Sequence, residues 1–141
     1  MLFRSGLDIA PVNPGQFAGR IVPDVAANAS ANTGYLVVAG GQRQITGGTS
    51  AAAPLWAALV ARINQQLAAS GKRVGYLTPL LYGAAPGGAG KLGKLVCNDI
   101  QTGDNVTAHV GGFKSASGFD AVTGWGSPKG KDLLAALAGH L

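Results

Sequence analysis

Residues 51–61 are apolar without a break and stop at Arg62, and no other feature narrows the possible folds of this chain as far. The run is too short to span a bilayer and longer than a typical buried strand, so it predicts a helix inside a core. Trp56, Val60, Ile63 and Leu67 carry the pattern onward at helical spacing, and polar side chains enter only after Arg62. The helix is expected from Ser50 to about Ser70, with its first three turns apolar all round and therefore buried. Pro54 falls in the first turn or so, where backbone N–H groups have no intrahelical acceptor and proline costs little. Gly71 supplies the stop.

The surrounding segments are read from punctuation. Residues 1–19, with Pro11-Val12-Asn13-Pro14-Gly15, have no period and read as an irregular lead-in. Arg20-Ile21-Val22 is extended by composition, and Pro23 holds Val22 in the β region. Tyr35-Leu36-Val37-Val38-Ala39 and Gln42-Arg43-Gln44-Ile45-Thr46 flank Gly40-Gly41, a pair suited to the positive φ angles of a two-residue hairpin turn, so a hairpin delivers the chain to Gly47. A short helix is expected over residues 76–82, a glycine-rich surface loop over 83–93 and a short strand over 96–100. Residues 101–126 read as long loops held by something other than regular structure. A last helix fits residues 131–141, entered after Pro128.

At 141 residues and 47% apolar content the chain has material for one core. Twenty-three glycines and seven prolines with only 12% charged residues point to many tight turns between short buried elements, the style of a compact secreted α/β or β-rich protein. The net charge of +5 comes from eleven Lys and Arg scattered without a run, which argues against nucleic acid or a membrane surface as partner. The start lacks a basic segment followed by a sustained apolar stretch, so the chain reads as soluble and without its own export signal. Cys97 is the single cysteine, which excludes an internal disulfide and a cysteine-built metal site and leaves a small thiol at the edge of a core.

The six acids are Asp8, Asp24, Asp99, Asp104, Asp120 and Asp132, and there is no glutamate. Ser50 ends the run Gly47-Gly48-Thr49-Ser50 at the mouth of the apolar helix. A serine nucleophile must be exposed, oriented and deprotonated, and the N-terminus of a buried helix meets the first two needs. Two glycines let a substrate backbone approach, and Ala51 to Ala53 give the small first turn a crowded site requires. The same Gly-Thr-Ser also reads as a plain helix N-cap. Asp24, after a proline and before small apolar residues, also reads as a turn or cap aspartate.

Read together, Val22-Pro23-Asp24-Val25-Ala26-Ala27-Asn28-Ala29, the Gly-Gly-Thr-Ser-Ala-x-Ala-Pro-Leu block, Ala58-Leu59-Val60-Ala61-Arg62-Ile63-Asn64-Gln65, Val74-Gly75-Tyr76-Leu77, Asp99-Ile100, Gly118-Phe119-Asp120 and Gly126-Ser127-Pro128 resemble the sedolisin family of serine-carboxyl peptidases, its kumamolisin-like members most of all. The resemblance implies that residues 20–141 are the C-terminal part of a catalytic domain. The implied fold class is α/β, the C-terminal portion of a subtilisin-like parallel-sheet fold with the nucleophile helix and a calcium loop. It implies an endopeptidase that works by acyl transfer at acid pH on peptide or protein substrates, secreted as the parent protein. Ser50 matches the nucleophile, and Asp24 matches the aspartate that, when protonated, donates to the oxyanion. Asp99 and Asp120 match the side-chain ligands of the family's calcium ion, and Ile100, Ala116 and Gly118 match its carbonyl ligands. Two solvated loop aspartates are the plainer reading of the same residues.

The departures are as informative. The family's base glutamate and its supporting aspartate lie on a helix upstream of the oxyanion aspartate, in a region this chain does not contain. The isolated chain is therefore expected to be inactive, with the missing N-terminal portion as a possible partner. His109 as a substitute base would sit in a glycine-rich loop that the family does not use, and Asp8 precedes the matched region. Ala116 replaces the usual glycine, and Ser30 replaces the acid of Asn-Ala-Asp. Asn28-Ala29-Ser30 and Asn105-Val106-Thr107 fit a glycosylation sequon but adjoin the matched sites, and they read as coincidence. A non-catalytic calcium-binding or interaction module on the same scaffold is the alternative function.

Overall fold

Apolar spacing and glycine punctuation set the elements of a computed structural model that describes residues 21–83, 85, 90–109 and 111–140. The lead-in expected over residues 1–19 lies outside the described residues, as does Arg20. The first element is the hairpin of β1 (Tyr35–Ala39) and β2 (Gln42–Thr46), antiparallel with Ala39 opposite Gln42 and Leu36 opposite Ile45. Gly40 and Gly41 close it at φ 57° and 76°, a region glycine enters without steric cost.

Helix α1 (Thr49–Leu67) follows, tightens into a 3₁₀ turn at Ala68–Ser70 and ends on left-handed Gly71. The Lys72 amide reaches back to the Leu67 carbonyl at 3.2 Å, which satisfies an end carbonyl of the helix. Asn64 Oδ1 accepts from the Val74 amide at 2.7 Å and fixes the exit. Then come α2 (Leu77–Tyr82), α3 (Leu92–Val96), β3 (Cys97–Asn98), β4 (Ser127–Pro128) and α4 (Gly130–His140). The expected surface loop over 83–93 thus ends inside a short helix, because Leu92 and Val96 are both fully buried. The core gathers one stripe of each helix, including Trp56, Ile63 and Leu67 of α1, Leu81 and Tyr82 of α2, and Leu133 and Leu137 of α4.

One expectation is corrected, and the parallel pairing of the implied fold is not represented among the described residues, since β1 pairs β2 and β3 pairs β4, both antiparallel. Parallel pairing needs a crossover between strands of one sheet, and the segment after Ile21 is extended but joins no ladder. The correction concerns α1, whose first turns are not buried all round. Trp56 faces the core, whereas Ala53, Pro54, Leu55, Ala57 and Ala58 are exposed. Periodicity identifies the helix and not how many of its faces this chain can cover. No described helix is long and apolar enough to cross a membrane.

Candidate active site

The segment that begins at Asp24 is placed by three separate parts of the chain. Asp24 Oδ1 accepts a 2.6 Å hydrogen bond from the hydroxyl of Tyr82, and its backbone carbonyl accepts from the Trp125 amide at 2.9 Å. Gly124, at φ 62°, passes so close that a Cβ there would collide with that carbonyl. Two residues on, the Ala26 amide donates to the Gly126 carbonyl at 2.9 Å, and the Ala26 carbonyl accepts from Trp56 Nε1 at 3.0 Å. Further along, the Ala29 carbonyl accepts from the Gly48 amide at 2.6 Å. Gly47 lies where a Cβ would meet the Ala29 carbonyl and the Ala31 amide at 2.7 Å. The chain after Asp24 therefore runs from the 124–126 turn, past Trp56, to the entry of α1.

Ser50 is exposed in the first turn of α1. The N-cap is Gly48, at φ 106° and ψ 159°, and no side chain caps the helix, so Thr49 and Ser50 do not act as the cap. The first turn holds no acid, and its Ala51 and Ala52 amides donate to the Gly48 carbonyl at 2.9 and 3.3 Å, so the positive end of the helix dipole lies beside Ser50. A groove of about 500 Å³ runs between Pro23, Val25, Ala27 and Ala29 on one side and Thr49, Ala52 and Ala53 on the other. Ser50 is not among its walls. A second groove of about 490 Å³ has Asp24 at its edge and Trp56, Val60, Asn64 and Leu77 along it.

The other matched residues meet in the loops between β3 and β4. Asp120 is buried, at 4% exposure, and its Oδ1 accepts from the amides of Val122 and Thr123 at 2.8 and 2.7 Å. Its Oδ2 accepts from the Ala116 amide at 3.1 Å, and Thr123 Oγ1 lies 3.2 Å from both oxygens. Exposed Asp99 accepts on Oδ2 from the Gly118 amide at 3.0 Å and from Gln101 Nε2 at 2.8 Å. Both aspartates thus hold one turn, residues 116–118, in which Gly118 has φ 85°. Gly126 brings this loop against β3, where a Cβ would collide with the Asn98 carbonyl. Among the described residues no three His, Cys, Asp or Glu side chains gather into a metal cluster. Carboxylate oxygen is the donor type a hard cation prefers over a transition metal, and here three of these oxygens accept backbone amides.

Asp104 serves its own loop, accepting from the Val106 amide at 3.0 Å, and His109 is exposed in that loop. Asp8 lies outside the described residues. Ser30 Oγ accepts from the Asn32 amide, and Asn28 Oδ1 accepts from Ser30 and Thr33, so these polar residues close the turn before β1. Burial pushes the Cys97 thiol up to about 12 against the opposing pull of Lys129, in keeping with an inert core thiol.

Tyr82 and the indole of Trp56 are site residues that sequence reasoning missed. Their partners lie 58 and 30 residues away, and no local spacing signals such a bond.

No protein-family model matches the chain. Kumamolisin of a Bacillus species is 51% identical over 126 residues, 89% of this chain and 21% of kumamolisin. Tripeptidyl-peptidase sed1 of Aspergillus fumigatus is 43% identical over 117 residues, 82% of this chain and 16% of that protein. The chain thus spans about a fifth of the length of these relatives. Among solved structures, Pseudomonas sedolisin, a serine-carboxyl proteinase complexed with two molecules of pseudo-iodotyrostatin, superposes with a TM-score of 0.68 at 31% identity, over 94% of this chain and 32% of that one.

Proposed function

Because the chain is kumamolisin-like and belongs to the sedolisin family of serine-carboxyl peptidases, we propose that it supplies the nucleophile and the oxyanion donor of an acid-acting endopeptidase whose base lies outside it. The observation that carries the reading is the lacing of residues 24–29 to the N-terminus of α1 by the Gly48–Ala29 and Trp56–Ala26 hydrogen bonds. These bonds tie the segment that follows Asp24 to the helix whose first turn holds Ser50. Fixing such groups before reaction is what makes oxyanion stabilisation effective.

In this reading Ser50 Oγ attacks the scissile carbonyl carbon and its proton passes to the external carboxylate base. The carbonyl oxygen becomes the oxyanion and takes a hydrogen bond from protonated Asp24. The C–N bond then breaks, the proton goes to the departing amine, and water later releases the acyl group from Ser50. A donor carboxyl must hold its proton, so activity belongs to acid pH. Asp99 and Asp120, with the carbonyls of Ile100, Ala116 and Gly118, would hold a calcium ion that would secure the loops and take no part in the chemical steps. Peptide or protein substrates, secretion of the parent protein and pairing with an N-terminal portion belong to the same reading.

The test is Asp24→Asn in the chain assembled with the N-terminal portion of the catalytic domain. An amide donates without needing a proton, so turnover should fall by roughly 10- to 1,000-fold while its alkaline limit moves up. Unchanged turnover and pH profile would remove Asp24 from the chemistry and favour the non-catalytic module.

A further inference from the structure

We infer that Tyr82 is a positioning residue for the reaction, holding Oδ1 of Asp24 so that the proton Asp24 donates is carried on Oδ2; this rests on the reading of Asp24 as the oxyanion donor. The 2.6 Å bond from the Tyr82 hydroxyl is part-buried and short, as expected of a hydroxyl on a carboxyl oxygen. A carboxyl group has two oxygens and, once protonated, one O–H donor. The oxygen that already accepts a hydroxyl proton takes the carbonyl role, and the acid proton goes to the other. Without that bond Oδ1 loses the donor that sets it apart, and the proton divides more evenly between the two oxygens. Much of the protonated population would then present an acceptor where a donor is needed.

The phenol is unusually well fixed for this task. Tyr82 is fully buried, at 0% exposure. Its ring meets Phe119 and Trp125 edge-on at 5.6 and 5.7 Å, and those two rings meet each other at 5.3 Å. Each ring of such a triangle blocks rotation of the other two. Trp125 also holds the Asp24 carbonyl through its amide, so one residue braces both the backbone of Asp24 and the ring that bonds its side chain. Trp125 itself lies against α3 at Gly93, where a Cβ would collide with the indole. Phe119 stands between Gly118 and Asp120, which ties the ring cluster to the turn held by the two loop aspartates.

The experiment is a double-mutant cycle in the chain assembled with the N-terminal portion of the catalytic domain, using Tyr82→Phe and Asp24→Ala. Tyr82→Phe keeps the ring and its packing and removes only the hydroxyl. It should lower kcat roughly tenfold with KM little changed, because substrate is not touched. In the Asp24→Ala background the same change should cost nothing further, since no carboxyl remains to hold. Tyr35→Phe, on the hairpin, should leave kcat unchanged. Placing 4-aminophenylalanine at position 82 restores a donor on the same ring and should recover much of the lost kcat, which also separates loss of the donor from loss of folding. Losses that add in the double variant, or a donor-bearing ring that performs no better than Phe, overturn the role of Tyr82 alone. An Asp24→Ala variant as active as the parent, or an assembly without activity, overturns the oxyanion reading and the Tyr82 inference with it.

Discussion

At the scale of single residues, positions that admit one side chain chemistry carry the most consequence. Gly124 has a left-handed φ and no room for a Cβ beside the Asp24 carbonyl. Gly124→Ala should therefore destabilise the fold by about 2 kcal/mol or more, read as a lower urea midpoint. Gly111→Ala, with nothing in the way of a Cβ, should shift the midpoint little. Cys97 behaves oppositely to a reactive thiol. Its folded value, raised by burial from 9.0 to about 12, means that the folded state favours the neutral form. Stability from this group is complete below about 9 and is lost as pH rises toward about 12. Alkylation by iodoacetamide at pH 8 should be slow in the native chain and fast in urea, and equal rates in both would contradict the burial. The place of Cys97 in the core was legible in part, as a small thiol at the core's edge, and the structure buries it fully. The reach of Tyr82 to Asp24 was not legible, because a bond across 58 residues has no local signature.

At the scale of elements, the sequence was most legible where geometry is local. The Gly40-Gly41 turn, the onset of α1 beside Ser50, the stop at Gly71 and the entry of α4 after Pro128 all follow from backbone rules that act within a few residues. Strand pairing beyond the hairpin was not legible, since the partners of a strand are set by elements distant in sequence. The loops of residues 101–126 were rightly read as lacking regular structure, and the structure gives the reason they hold a shape. Asp120 and Asp99 accept the amides of Ala116 and Gly118, and the Phe119 ring beside them packs on Tyr82 and Trp125. From the calcium reading it follows that the ion stabilises the chain by roughly 2.7 kcal/mol at a hundredfold excess over its dissociation constant. Thermal melts with calcium and with chelator measure this. Asp99→Asn and Asp120→Asn should each weaken the difference, whereas Asp104→Asn and Asp132→Asn should preserve it. Equal melting temperatures in the folded chain would remove the ion from the loops.

At the scale of the molecule, two apolar faces are left open. Leu36, Val38 and Ile45 of the hairpin are 66%, 66% and 64% exposed, and the outer face of α1 is bare from Ala53 to Ala58 except at Trp56. Burial of such surface is the main favourable term in association, and the chain spans only about a fifth of kumamolisin. The chain carries no glutamate, so in the proposed reading the base for Ser50 comes from outside it. Removing a member of a catalytic triad costs several powers of ten in rate even when binding survives. The direct measurement is peptide hydrolysis at acid pH by this chain alone, by the N-terminal portion of the catalytic domain alone, and by the two mixed. The expected result is no turnover from either part, turnover from the mixture, and its loss with Ser50→Ala. Turnover by the isolated chain that Ser50→Ala abolishes, or an associated mixture that stays inactive, would contradict a nucleophile and oxyanion donor waiting for an external base.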